Sequence, residues 1–173
     1  MPEQLEQAVV ESTTMVMETS AFMTIWQWTE EDGDLPQPDI AATITFTGAR
    51  DGRLTLRLAS EVLPLLSKNM LGDFDEGEPS PDAAQDALKE MLNMMCGNVL
   101  TAWYGSDPVF KLHPPEVLTP EAEATPESAA TPDICVKFNL ENTLCIVEAC
   151  IVGGVEDVNP AAMNVAASGE KSV

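Results

Sequence analysis

The sequence predicts an α/β fold of the α+β kind, a single pseudo-twofold domain in which helices pack on one antiparallel β-sheet. Three observations carry that prediction. Two pairs of short runs rich in β-branched residues each flank turn residues, the mark of antiparallel hairpins. Helical stretches precede each pair. The two halves also share a faint repeat, in which Ala8, Glu11, Met15 and Pro36 fall on Ala87, Glu90, Met94 and Pro115 when the first helix is laid on the third. With 173 residues the chain can bury a core of ordinary size without disulfides or a structural metal.

Residues 4–22 contain neither Pro nor Gly and bring Leu5, Val9, Ser12, Val16 and Thr19 to one side, so they predict a first helix. After an acidic stretch bearing Pro36 and Pro38, residues 40–46 and 53–59 predict a hairpin about the turn from Gly48 to Gly52. Residues 60–71 predict a second helix, with Ser60 as N-cap, Pro64 in the first turn and Gly72 as the stop. Ser80, Pro81 and Asp82 then form a well-made helix start: a capping side chain, a proline where no N–H is needed, and a negative charge at the positive end of the dipole. This third helix runs to Gly105. Residues 109–118 suggest a strand ending at Pro114 and Pro115, and residues 119–133 are a low-complexity run expected as an exposed loop. Residues 134–140 and 143–152 flank Glu141-Asn142 as a second hairpin. The domain is expected to span 1–155, with 156–173 a flexible C-terminal tail.

Charge excludes several classes of function. Eight Lys and Arg against 29 Asp and Glu give a formal net charge of -21, which repels nucleic acid and anionic membranes and favours a partner presenting Lys or Arg. The first twenty residues carry acidic groups in place of a basic start and apolar stretch, and no run of about 18 apolar residues occurs, so a cytoplasmic protein is expected. Cys96, Cys135, Cys145 and Cys150 form no CxxC pair and His113 is the single histidine, so the usual zinc ligand sets and catalytic triads are missing. Reduced, mostly buried thiols and a strand-end histidine are the expectation.

On the third helix Asp86, Glu90, Asn93 and Gly97 are spaced 4, 3, 4, which confines them to a sector about 60° wide. Leu88, Leu92, Met95, Val99 and Ala102 fall opposite, so the polar stripe points away from the core. A Glu-x-x-Asn on a solvated helix face ordinarily means nothing. Here, however, Asn is a poor choice inside a helix, and Gly97 costs about 1 kcal/mol relative to Ala while clearing space beside Asn93. Selection for helix stability alone does not produce such a stripe.

The sequence Asp86-x-x-x-Glu90-x-x-Asn93, followed by Pro115, resembles the active-site signature Asp/Ser-x3-Glu-x2-Asn-x22-Pro of the CheC, CheX and FliY chemotaxis phosphatases. The proline falls one residue short of the family spacing. CheC-type members carry the signature twice, whereas the first helix here offers Gln7, Glu11 and Thr14 at the matching offsets, so the chain looks more like CheX, with one working site. The resemblance implies a phosphatase acting on the phosphoaspartate of a CheY-like response-regulator receiver domain in chemotaxis or two-component signalling. It gives Glu90 and Asn93 catalytic roles and leaves docking to Asp86 and Gly97. The protein would hold no cofactor of its own, since the receiver supplies the divalent metal, Mg, together with its acidic residues and lysine. A homodimer through sheet edges is a further implication, although nothing in the strands requires it. The alternative is a CheX-like module that binds a receiver or other signalling protein without hydrolysis.

Overall fold

A computed structural model describes residues 2–72, 77–126 and 130–155. The expected tail, 156–173, lies outside them. In chain order the elements are α1 (Pro2–Ser20), β1 (Ile25–Gln27), β2 (Ile40–Thr47), β3 (Gly52–Leu58), α2 (Leu63–Leu71), α3 (Pro81–Tyr104), β4 (Lys111–Leu112), β5 (Glu116–Val117), α4 (Pro120–Glu123), β6 (Ile134–Leu140) and β7 (Thr143–Ile151). The strands form one antiparallel sheet of order β1-β6-β7-β3-β2-β4, with β5 also on β2.

The topology contains the pseudo-twofold relation that the sequence repeat suggests. Each half is a helix, a short edge strand and a hairpin: α1, β1, β2-β3 in the first, and α3, β4 with β5, β6-β7 in the second. Exchanging the halves reproduces the strand order in reverse, so the pseudo-axis passes between β3 and β7. The halves interlock. β1 pairs with the hairpin of the second half through Ile25↔Leu140, while β4 and β5 pair with that of the first through Phe46↔Leu112 and Ala42↔Val117.

Alternation along the strands sends one set of side chains inward. Ile44 faces Leu54 and Ala42 faces Leu56 on the first hairpin, as Val136 faces Val147 and Phe138 faces Cys145 on the second. Against this layer pack Leu5, Val9, Val16 and Met17 of α1 and Leu88, Leu92, Met95 and Val99 of α3, all buried in one continuous core. The second hairpin turns tightly because Glu141 and Asn142 both take positive φ, 49° and 63°, as a two-residue turn of the primed type requires.

Several expectations need correction. Thr19 and Ala102 are exposed; on α3 the buried side shifts toward the C-terminal end, where Leu100 and Tyr104 turn inward in place of Ala102. Ser60 does not cap a helix. Residues Ser60–Val62 form a 3-10 turn leading into α2, and the Ser60 N–H and hydroxyl both donate to the Asp39 carboxylate, the hydroxyl at 2.7 Å. The strand expected to end at Pro114 and Pro115 does so as β4, and a second short strand, β5, which was not expected, follows them, the consecutive prolines having no N–H to donate to the ladder. Residues 119–133 are exposed over much of their described length, yet they include α4, capped by Thr119, and the Glu123 carboxylate pairs with Arg57 on the sheet. Of the thiols, Cys96 and Cys145 are buried, and burial pushes both up to about 12, whereas Cys135 is exposed.

Candidate functional site

α3 begins as its sequence requires. Ser80 Oγ accepts a hydrogen bond from Ala83 N at 3.2 Å, Pro81 occupies the first turn, and Asp82 places its charge at the helix N-terminus. From there Ala84, Leu88, Met91, Leu92 and Met95 turn inward, and each is buried. This anchoring fixes the rotation of the helix and so decides what faces outward.

The face left open carries the four residues singled out by spacing. Asp86 has a side chain 78% exposed, and its only ion pair among the described residues is a loose one to Lys89 Nζ at 4.0 Å, a surface contact of little energetic weight. Glu90 is exposed and Asn93 half-buried, one turn apart. Among the described residues neither side chain has a hydrogen-bond or ion-pair partner. Asn98, one turn further round the same helix, behaves differently: its Nδ2 donates back to Met94 O at 2.8 Å. The Asn93 amide is thus left with donor and acceptor both available, where a neighbouring asparagine satisfies itself on the backbone.

Gly97 completes the stripe. A Cβ built there meets no atom within 4 Å, so nothing inside the fold calls for a glycine in the middle of this helix. The residue leaves a bare stretch of backbone beside Asn93. Such a surface lets a second molecule approach closely without a side chain in the way.

The matching face of α1 is built differently. Gln7 Nε2 donates to Glu11 Oε1 at 2.8 Å, Thr14 stands where α3 has Asn93, and an exposed Glu18 stands where α3 has Gly97. That face has no amide at the position of Asn93 and carries bulk and charge at the position of Gly97. His113 sits in the break between β4 and β5, its N–H donating to Thr45 O at 2.9 Å and its Nε2 lying 3.3 Å from Thr47 Oγ1. It is a strand-edge residue, as expected. Pro115 lies in the same break between the two short strands.

Sequence reasoning missed the border of the stripe. At the C-terminal end of α3, Leu100 and Tyr104 turn toward the same side but are buried, since the chain folds back beneath them and Phe110 packs edge-on against Tyr104, with ring centroids 5.2 Å apart. Nothing local in residues 105–112 announces this return, which depends on β4 pairing with β2. Among the described residues no group of three or more His, Cys, Asp or Glu side chains is placed to hold a metal ion, and no helix is long and apolar enough to cross a membrane.

Comparison with known proteins places these features in a family. The family model described as "Chemotaxis phosphatase CheX" matches residues 40–139. Among curated proteins no match is found. Solved structures resemble the fold along nearly their whole length. The CheX protein of Desulfovibrio desulfuricans superposes with a TM-score of 0.63 at 21% identity, over 85% of this chain and 98% of that one. For CheX of Vibrio vulnificus the TM-score is 0.66 at 18% identity, over 87% and 98%. A CheX of Borrelia burgdorferi, solved in complex with CheY, BeF3 and Mg, gives 0.58 at 14% identity, over 84% and 96%.

Proposed function

Because the chain belongs to the chemotaxis phosphatase CheX family, we propose that it hydrolyses the phosphoaspartate of a CheY-like response-regulator receiver domain, using Glu90 and Asn93 of α3. The single observation that carries this reading is the open stripe itself. A carboxylate and an amide stand one turn apart with no partners among the described residues, beside a glycine that nothing in the described fold requires.

The reaction requires water to attack phosphorus in line with the bond to the aspartate oxygen. That bond then breaks, and inorganic phosphate and a free carboxylate are released. The receiver contributes its own acidic residues, its divalent metal and its lysine, so the phosphatase has only to place the water. An amide is no base near neutral pH. Its carbonyl oxygen can nonetheless accept a hydrogen bond from the attacking water and fix its direction, which removes an entropic part of the barrier. This is the role given to Asn93. Glu90 would pair with the receiver lysine, a charge-assisted contact that sets the register of the complex and strengthens as water is excluded. Asp86 adds to the field that draws a basic surface toward α3, and Gly97 admits the approaching receiver.

The complex of the Borrelia burgdorferi CheX with CheY supports the choice of partner for this chain. A panel of phosphorylated receivers, each incubated with the purified protein while phosphate release is followed, tests the proposal. Accelerated loss of phosphate from at least one receiver is expected. Unchanged lifetimes across receivers that nevertheless bind would favour a non-catalytic docking module.

A further inference from the structure

We infer that the receiver is held by an apolar side chain as well as by the polar stripe, and that this side chain enters the cavity between the C-terminal half of α3 and the segment leading into β4. The inference rests on the phosphatase reading and identifies a second contact at the same site.

The cavity has a volume of about 250 Å³, is open to solvent on one side, and is lined by Gly97, Leu100, Thr101, Pro108, Phe110 and Leu112 together with Gly105 and Ser106. Gly97 belongs to both the stripe and the cavity, so the two surfaces are continuous. Thr101 lies two turns past Asn93, which puts the cavity roughly 6–12 Å from Asn93 along the helix axis. A molecule whose phosphoryl group reaches Asn93 therefore has surface over the cavity.

The lining defines what fits. It contains no charged side chain, and the Thr101 hydroxyl already donates to Gly97 O at 2.9 Å. Leu100, Pro108, Phe110 and Leu112 offer an apolar interior suited to a Leu, Ile, Val, Met or Phe side chain, whereas an anion would enter against a net charge of -21. The space is too small for a whole small-molecule ligand and about right for one side chain. The floor is fixed beforehand: Phe110 stands edge-on to Phe46 at 5.9 Å and to Tyr104 at 5.2 Å, and Leu100 is 4% exposed. A rigid pocket loses little freedom when filled.

The division of labour follows from the physics of interfaces. Charge pairs such as that proposed for Glu90 steer and orient a partner, while most binding energy comes from a few buried anchors in well-packed pockets. On α1 the position equivalent to Gly97 is an exposed Glu18, and the helix ends at Ser20, so a charge stands where α3 is bare and no helical turn continues beyond it.

Thr101 and Ser106 are exposed, so a tryptophan at either position fills the cavity from its rim without entering the core. The test follows phosphate release against phosphorylated-receiver concentration for wild type, Thr101→Trp and Ser106→Trp, each with its melting temperature compared with wild type. Both tryptophan variants should raise KM by about fivefold or more with kcat within about twofold. An active wild type whose KM is unchanged in both tryptophan variants overturns the inference alone. A wild type that neither binds nor dephosphorylates any receiver overturns the phosphatase reading, and this inference with it.

Discussion

Gln7 donates to Glu11 across one turn of α1 at 2.8 Å, so the carboxylate equivalent to Glu90 in the other half of the pseudo-twofold is already engaged by its own helix. The two halves share a fold but differ in what they leave available. Glu90 and Asn93 keep their hydrogen-bonding capacity for a second molecule.

The first prediction follows from that asymmetry. Glu11→Ala and Thr14→Ala should each leave turnover of a phosphorylated receiver within about twofold of wild type, since exposed changes away from the working surface are close to neutral. A loss comparable to that of a change at Asn93 would make α1 a second active face.

Gly97 sets stability against function. Gly97→Ala should stabilise α3 by up to about 1 kcal/mol, because the new Cβ meets no atom within 4 Å and helix propensity improves. Thermal unfolding should shift upward by about 2–4 °C, and the phosphatase should at the same time lose activity, as happens where a site is kept suboptimal for use. An alanine variant that is both more stable and fully active would remove Gly97 from the interface.

Much of this arrangement was legible in the sequence, and the parts that were not share a cause. The start of α3 could be read from Ser80, Pro81 and Asp82, and the second hairpin from Glu141-Asn142, because capping and turn chemistry are local. Spacing alone brought Asp86, Glu90, Asn93 and Gly97 to one face. β1 was missed because three residues, Ile25–Gln27, become a strand only by pairing with β6 far along the chain. Local pattern makes Ser60 a cap where its partner is Asp39, and makes Glu123 part of an exposed loop where Arg57 holds it to the sheet. Each of these contacts joins distant segments, which local patterns do not encode.

The Asp39–Ser60 contact has a pH signature. The Ser60 hydroxyl, and next its N–H, hold the Asp39 carboxyl below its ordinary value of 3.8. A carboxylate depressed in the folded state contributes stability that is complete above the unfolded value and lost as pH falls through the folded one. Asp39 lies in solvent, so the contribution is small. Asp39→Ala should lower Tm by no more than about 2 °C near pH 7, as loss of an exposed charge-assisted contact does, and the gap should close as the medium is taken below the ordinary carboxylate range. Thermal scans by circular dichroism at the two pH values check this; an equal gap at both would rule out the ionised carboxylate as its source.

The docking role proposed for Glu90 distinguishes it from Asn93. Glu90→Ala should weaken association with a receiver carrying an acyl-phosphate analogue and flatten the dependence of that association on salt, since one interfacial charge pair is gone. Glu90→Gln should fall between wild type and alanine, keeping a hydrogen bond without its charge. Calorimetric titration at two ionic strengths reads both effects. Wild-type affinity for Glu90→Ala at both would refute the lysine pairing.

The most direct measurement is the rate of phosphate release from a phosphorylated receiver, followed for wild type and Asn93→Ala at saturating phosphatase. Asn93 is half-buried, faces away from the core and has no side-chain partner among the described residues, so its truncation should leave folding and receiver binding unchanged. If its amide directs the attacking water, the alanine variant should bind the receiver as wild type does and release phosphate at least about tenfold more slowly. Equal rates for the two proteins would contradict the account, because the water would then be placed without the Asn93 amide.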